Sequence, residues 1–432
     1  MDESRKEFVK KYIDKNVYES LIERIHFIFD EFERPCISVS GGKDSSLLFQ
    51  IMNQIAKERN RAFDAMYIDL EAGYKMTAIH MEELKAMHYK GDFYHFCLPI
   101  TEFNGLSIFQ PAWTVWNPKK KDLWIKPMPD DAITIDSVDP ELFKKGDEWE
   151  ELLSNFPVWL KKKHGLKKVA CLLGLRADES LNRFRSVAFA KNMYQDINWS
   201  TKMRKDVYNF SPIYDWRTED IWTAVGQLGL RYNEVYELMW KNGISIHDQR
   251  ICQPFGQEQK AGLDQFALIE PETWVKIVER VGGVNFGAIY CKTSLLGHNG
   301  SQKPEHLTWQ EYAIFLLETM EIYSPLLTRH YVRKLNILFD YIKTEEGMQI
   351  KDIQESHERI KFKNNQEWLS WERIAKTIEK NDFQCGGLQY GLTNADRDEM
   401  ILLQKEFGKF LGIENYKIKS MQKLAKELGY EG

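Results

Sequence analysis

The sequence has no two cysteines close enough to share a turn: Cys36, Cys97, Cys171, Cys252, Cys291 and Cys385 are scattered along the chain. Structural zinc and iron–sulfur sites usually draw at least one close ligand pair from a single turn, so neither is expected. No apolar run approaches the roughly 18 residues that cross a bilayer. The start, Met1-Asp2-Glu3-Ser4-Arg5-Lys6, lacks the apolar core of a secretory signal, so the expected location is the cytoplasm, with no membrane partner. No internal repeat, low-complexity tract or Pro/Gly/Ser linker marks a boundary. An excess of one charge is also lacking: 59 Lys and Arg stand against 64 Asp and Glu, a formal net charge of −5. That excludes a polybasic nucleic-acid coat and leaves room only for a local basic groove. What is present is 432 residues, 43% hydrophobic and 28% charged, a folded chain of two or three units at about 150 residues each.

Apolar spacing predicts a helix from Asp14 to Glu33, then a strand over Pro35–Ser40 and a helix over Asp44–Lys57. Phe63–Asp69, Phe93–Leu98, Lys168–Leu173 and Tyr208–Ile213 read as further strands, with helices over Thr77–His88 and Asp178–Ala190. Alternating strand and helix is the pattern of a parallel α/β sheet. Cys36, Cys97 and Cys171 fall inside these apolar strands and read as small core hydrophobes. Phe109–Pro129 fits no period and reads as an ordered insertion. There Trp113, Trp116 and Trp124 lie beside Lys119-Lys120-Lys121, a pairing able to stack bases and grip phosphates but more simply a packed loop with a solvated charge run. Past Thr218 the apolar period becomes helical throughout. The expected division is an α/β domain over 1–300, with its core at about 14–230 and a helical extension, and a mainly helical domain over 301–432.

The strongest local signal is Ser40-Gly41-Gly42-Lys43-Asp44-Ser45, a Gly-Gly turn between an apolar strand and a helix. Glycines let amides approach an anion, hydroxyls add donors, the helix N-terminus adds positive potential, and Lys43 adds a full charge. The spacing is neither a Walker A loop nor GxGxxG. Alone, the segment also fits an ordinary turn in which Asp44 or Ser45 caps a helix.

This loop resembles the PP-loop of the adenine nucleotide alpha-hydrolase superfamily, and in particular of the phosphoadenosine phosphosulfate (PAPS) reductase family. Three further blocks agree in order. Met66-Tyr67-Ile68-Asp69 is similar to the second strand, with its terminal acid near the nucleotide. Gly174-Leu175-Arg176-Ala177-Asp178-Glu179-Ser180, followed by Arg183 and Arg185, is similar to the Gly-x-Arg-x-x-Glu-Ser signature. Pro212–Trp222 is similar to the Pro-x-x-x-Trp-x-x-x-Asp-[Val/Ile]-Trp signature. The resemblance implies a twisted parallel sheet flanked by helices that binds adenine nucleotide at the carboxyl ends of its strands. Asp69–Tyr74, Arg250–Gly256, Glu270–Trp274 and Asn381–Cys385 further resemble the IbrA-type group, co-activators of prophage gene expression commonly encoded beside a ParB-like partner.

Sulfonucleotide reduction needs a thiol, which that family carries in a Glu-Cys-Gly-[Ile/Leu]-His motif. The nearest counterpart here, Gln384-Cys385-Gly386-Gly387-Leu388, lacks both Glu and His, and Cys385 reads as structural. The expected chemistry is therefore ATP-pyrophosphatase chemistry: cleavage of the α–β bond to adenylate an unknown acceptor, in a nucleic-acid modification or regulatory pathway. PAPS or APS reduction, and non-catalytic nucleotide sensing with a ParB-like partner, are the alternatives. The resemblance implies nucleotide contacts from Ser40, Gly41, Gly42, Lys43, Asp44, Ser45, Asp69, Gly174, Arg176 and Arg183. Lys43, Asp44 and Arg176 would be catalytic, and Asp44 and Asp69 would hold Mg²⁺ with ATP. Arg176 also fits a surface ion pair with Asp178 or Glu179.

Overall fold

The computed structural model describes residues 13–106, 112–180, 183, 184, 187, 192–251, 263–282, 303–345, 347–356, 369–380, 382–391 and 393–411. Contacts divide the chain into two compact units, one of residues 1–101 and 114–253, the other of 102–113 and 254–432. The second unit thus begins at Pro254, ahead of the expected 301, and takes in a short segment from the middle of the chain.

In the first unit the chain runs α1 (Val17–Glu31), β1 (Cys36–Ser38), α2 (Lys43–Glu58), β2 (Asp64–Ile68), α3 (Lys75–Met87) and β3 (Phe93–Phe96). Two short paired strands, β4 (Thr101–Phe103) and β5 (Ala112–Thr114), mark the passage out of this unit and back. Then follow α4 (Trp149–His164), β6 (Val169–Leu172), β7 (Ser200–Arg204), β8 (Val207–Phe210), α5 (Thr218–Leu228) and α6 (Val235–Lys241). The main sheet has the order β3-β2-β1-β6-β8-β7. All its pairs are parallel except β7–β8, which is antiparallel. The expected strands are all present, two or three residues shorter than their apolar runs. β7 was not expected, because Ser-Thr-Lys-Met-Arg is a polar, mostly exposed edge with no apolar alternation to reveal it.

Local chemistry sets the element ends. Asn16 and Glu19 form a reciprocal capping box on α1, while Gly165 and Gly229 end α4 and α5 in the left-handed conformation. Leu21, Ile25, Phe29, Leu47, Phe49 and Ile51 from α1 and α2 join Ile37, Ala65, Leu172 and Phe210 of the sheet in one buried cluster. Each such side chain contributes about 1.5–3 kcal/mol on burial.

The Pro212–Trp222 block belongs to this packing. Trp216 is 1% exposed and its indole N–H donates to the Val17 carbonyl at 3.1 Å. Arg24 of α1 grips both Asp215 oxygens at 2.8 and 2.7 Å and donates to the Pro212 carbonyl.

The second unit is helical where described: α7 (Leu263–Ile269), α8 (Pro271–Arg280), α9 (Trp309–Tyr323), α10 (Pro325–Glu345), α11 (Trp371–Glu379) and α12 (Asn394–Leu411). Leu327, Tyr331 and Leu338 of α10 pack with Ile374 and Ile378 of α11 and with Phe383 and Cys385. No described helix is long and apolar enough to cross a membrane.

Candidate functional site

The Ser40 loop sits at the carboxyl end of β1, beside that of β2: Ser38 pairs with Met66, and the Val39 amide donates to the Met66 carbonyl at 2.8 Å. Gly41 has φ +75°, and a Cβ there would stand 2.7 Å from Thr77 Cγ2. A side chain is therefore excluded both by conformation and by the approach of α3. Gly42 is the N-cap of α2. Ser45 Oγ accepts from the Ser40 amide at 3.1 Å and lies 3.0 Å from Ser40 Oγ, which closes the loop on itself. Gly174, after β6, comes closer still: a Cβ would lie 2.9 Å from Ser45 N and 3.0 Å from its Cα. Backbone thus packs directly on the first turn of α2.

Three charged side chains converge on that turn. Lys43, Asp44 and Arg176 are 7%, 9% and 3% exposed. Arg176 Nε donates to Asp44 Oδ1 at 2.5 Å, and Lys43 Nζ lies 3.3 Å from Asp44 Oδ2. The ion pairs with Asp178 and Glu179 are present but looser, at 3.7 and 3.9 Å, so the hydrogen-bonded partner of this buried guanidinium is Asp44. Its Nη1 is buried without a hydrogen-bond partner. Burial pushes the Glu179 carboxyl up, and the neighbouring Asp44 charge adds to the effect. Arg183 lies outward of this group, with Nε 3.7 Å from Glu179 and its side chain 43% exposed. Arg185 lies outside the described residues.

Asn233 and Tyr236, just past the expected core, complete the loop's support. Asn233 is fully buried, and its Nδ2 donates to the Gly41 carbonyl at 3.2 Å and to Thr77 Oγ1 at 2.9 Å. Tyr236 OH accepts from the Lys43 amide at 3.0 Å, and the Lys43 ammonium stands 5.7 Å from the Tyr236 ring centroid. Nothing in the sequence near either residue signals this role. His80 is buried with Nε2 2.9 Å from Ser46 Oγ, which braces α3 against α2. His247 is exposed and stands 3.4 Å from Glu219.

Asp69 ends β2 almost fully buried. Its carboxylate takes the Lys126 ammonium at 2.8 Å, His95 Nε2 at 3.2 Å and the Glu71 amide at 2.9 Å. Burial alone would raise its pKa, but Lys126 and His95 outweigh it and hold the carboxyl below the usual aspartate value.

These surroundings decide what each site suits. The Gly41 turn, the backbone contact at Gly174 and the unsatisfied Arg176 Nη1 fit a phosphate-bearing ligand. Mg²⁺ favours an octahedral shell of oxygens. Asp69 offers it instead a lysine partner with His95 and Cys97 alongside. Asp44 is compatible if a phosphate draws Lys43 or Arg176 onto itself, so the metal role expected of the pair suits Asp44 better than Asp69.

Among the described residues, no cysteine is exposed as a nucleophile. Cys36, Cys97, Cys171 and Cys385 are free and buried, and burial raises the thiol pKa of Cys36, Cys97 and Cys385. Cys252 and Cys291, the Arg250–Gly256 block beyond Ile251, and Asn381 lie outside the described residues.

Residues 129–285 match the family model described as phosphoadenosine phosphosulfate reductase domain. That span holds the Arg176 and Trp216 blocks and begins after the Ser40 loop. Residues 243–356 match a domain of unknown function, DUF3440. The chain is similar to the uncharacterized protein YbdN of Escherichia coli (strain K12), 33% identical over 390 residues, covering 88% of this chain and 92% of that protein. Among solved structures it is similar to the phosphate complex of PAPS reductase from Candida auris, at 10% identity, 53% and 93% coverage and a TM-score of 0.28. It is also similar to FMN adenylyltransferase from Candida glabrata with FAD and inorganic pyrophosphate, at 14% identity, 51% and 58% coverage and a TM-score of 0.28.

Proposed function

The chain belongs to the family of the Escherichia coli protein YbdN and carries a phosphoadenosine phosphosulfate reductase domain, and from that premise we propose that it binds ATP at the Ser40–Ser45 loop and cleaves its α–β bond. An acceptor oxygen attacks the α-phosphorus, the bond to the bridging oxygen breaks, and pyrophosphate leaves with the adenylyl group on the acceptor. The observation that carries this reading is the convergence of Lys43, Asp44 and Arg176 on the first turn of α2, with Arg176 Nη1 buried and without a hydrogen bond.

The loop amides with Ser40, Ser45 and Lys43 hold the leaving pyrophosphate. Arg176 donates to the phosphate through Nη1, and its bond to Asp44 fixes its plane. Such preorganised donors act where charge builds in the transition state. Mg²⁺, held through Asp44, supplies counter-charge to the phosphates. The IbrA-type grouping, with its ParB-like partner and a nucleic-acid or regulatory pathway, belongs to this proposal as the source of the acceptor. Sulfonucleotide reduction is disfavoured by the burial of the described cysteines.

Lys43→Ala is expected to lower pyrophosphate release by about 100-fold or more while the thermal transition of the first unit is kept. Undiminished release from a folded Lys43→Ala protein would rule out the assignment.

A further inference from the structure

The proposed reaction makes no use of the excursion between Trp116 and Lys126, although the fold holds it firmly. One side chain grips both of its ends. Glu71, fully buried, accepts from the Trp116 amide at 2.5 Å and from the Ile125 amide at 3.3 Å. Its own backbone is left-handed, φ +65°, an unfavourable conformation for a residue with a Cβ. A second attachment lies alongside: the Trp116 indole donates to the Asp69 carbonyl at 2.7 Å, and Lys126 pairs with the Asp69 carboxylate at 2.8 Å. Within the excursion, Asn117 Oδ1 accepts from the Lys119 amide and the Asn117 carbonyl accepts from the Trp124 indole, both at 3.0 Å. Trp116 and Trp124 meet edge to face at 5.2 Å.

A buried carboxylate in a left-handed backbone conformation thus fixes an outward-facing turn. No residue of the turn Pro118–Leu123 is buried. Lys119 and Lys121 are exposed, as is Leu123 at 44%, and Trp124 is half-buried with the Lys121 ammonium 5.9 Å from its ring centroid. Among the described residues no carboxylate forms an ion pair with Lys119, Lys120 or Lys121, in a chain whose net charge is −5.

We propose that residues 117–124 form a preorganised docking loop for a single nucleic-acid strand, with Lys119, Lys120 and Lys121 on its phosphates, Trp124 and Leu123 against a base, and Glu71 as the positioning residue. Cations interleaved with an aromatic ring are how single strands are bound without sequence preference. An acidic protein surface would engage the lysines and leave Trp124 and Leu123 unused. The inference names the acceptor class of the proposed reaction and rests on that reading for the loop's purpose, while strand binding itself needs no ATP.

The test is fluorescence anisotropy of the full chain with a labelled single-stranded oligonucleotide across a series of salt concentrations. Exchanging Lys119→Ala, Lys120→Ala and Lys121→Ala together is expected to weaken binding at low salt at least about tenfold and to flatten the logarithmic salt dependence by about 2, the counterion release of three phosphates. The melting temperature and ATP affinity of that variant should match the unaltered protein. Glu71→Gln should weaken binding with the salt slope kept, because the same cations remain but are less well placed. Three results would overturn the proposal: no strand binding by the unaltered protein, unchanged affinity and slope in the triple variant, or competition by polyglutamate as effective as by unlabelled oligonucleotide. Strand binding retained in a Lys43→Ala protein that has lost ATP cleavage would support the loop, and strand binding retained with no cleavage by any form would count against the reaction alone.

Discussion

Two glycines show how closely the site depends on single atoms. At Gly174 a Cβ would meet the Ser45 backbone at 2.9 Å, and backbone cannot rotate away. Gly174→Ala is therefore expected to push β6 and α2 apart, lowering stability by about 1–3 kcal/mol and weakening ATP binding, as read by calorimetric titration beside a melting curve. At Gly41 a Cβ would meet Thr77 Cγ2 at 2.7 Å, and the bond from Asn233 holds Thr77 in place, so Gly41→Ala adds a clash to the positive-φ cost of about 1–2 kcal/mol.

Asp69 gives a prediction with a sign. Its folded pKa lies below the ordinary 3.8, so its ion pair contributes stability that is fully present above that value and is lost as pH falls through the folded pKa. Asp69→Asn should accordingly melt well below the unaltered protein at neutral pH, with the gap closing in acid; a gap independent of pH would contradict the pairing with Lys126. Ser40–Ser45, Gly174 and Arg176 were legible in the sequence because each lies in a short contiguous pattern with a chemical reason for its spacing. Glu71, Lys126, Asn233 and Tyr236 were not, because their partners lie far off in the chain and no local pattern records a distant contact.

At the level of elements, strands buried on both faces read as apolar runs and were found within a few residues. β7 escaped because an edge strand needs only one ladder and no apolar face, and its five residues are mostly exposed. In the second unit, α10 and α12 are joined by charges rather than by apolar contact alone. Lys334, 1% exposed, pairs at 2.6 Å with the fully buried Asp396, which also takes Arg333 at 2.5 Å. Lys334→Ala should cost about 3–5 kcal/mol by leaving part of the Asp396 charge uncompensated. Adding Asp396→Asn should restore some of that loss, a coupling that a double-mutant cycle in denaturant measures directly.

On the scale of the whole molecule, the first unit runs past its last strand to Gln253 for a physical reason. α5 and α6 look helical in sequence and could belong with the helical region that follows, yet Trp222 of α5 packs against the first core and Tyr236 of α6 holds the Lys43 amide. The Ser40–Ser45 loop is held by them, so the first unit extends past its last strand. No composition change marks that point, which is why the boundary was not legible.

ATP labelled at the α-phosphate, incubated with the purified chain and Mg²⁺ with and without a single-stranded nucleic acid, tests the proposed α–β cleavage most directly. Label recovered as AMP or as an adenylylated acceptor, with an equal amount of pyrophosphate and loss of both in Lys43→Ala, is the expected result. Label recovered as ADP, or ATP bound and unchanged under every condition, would contradict it, the latter leaving a nucleotide sensor as the better description.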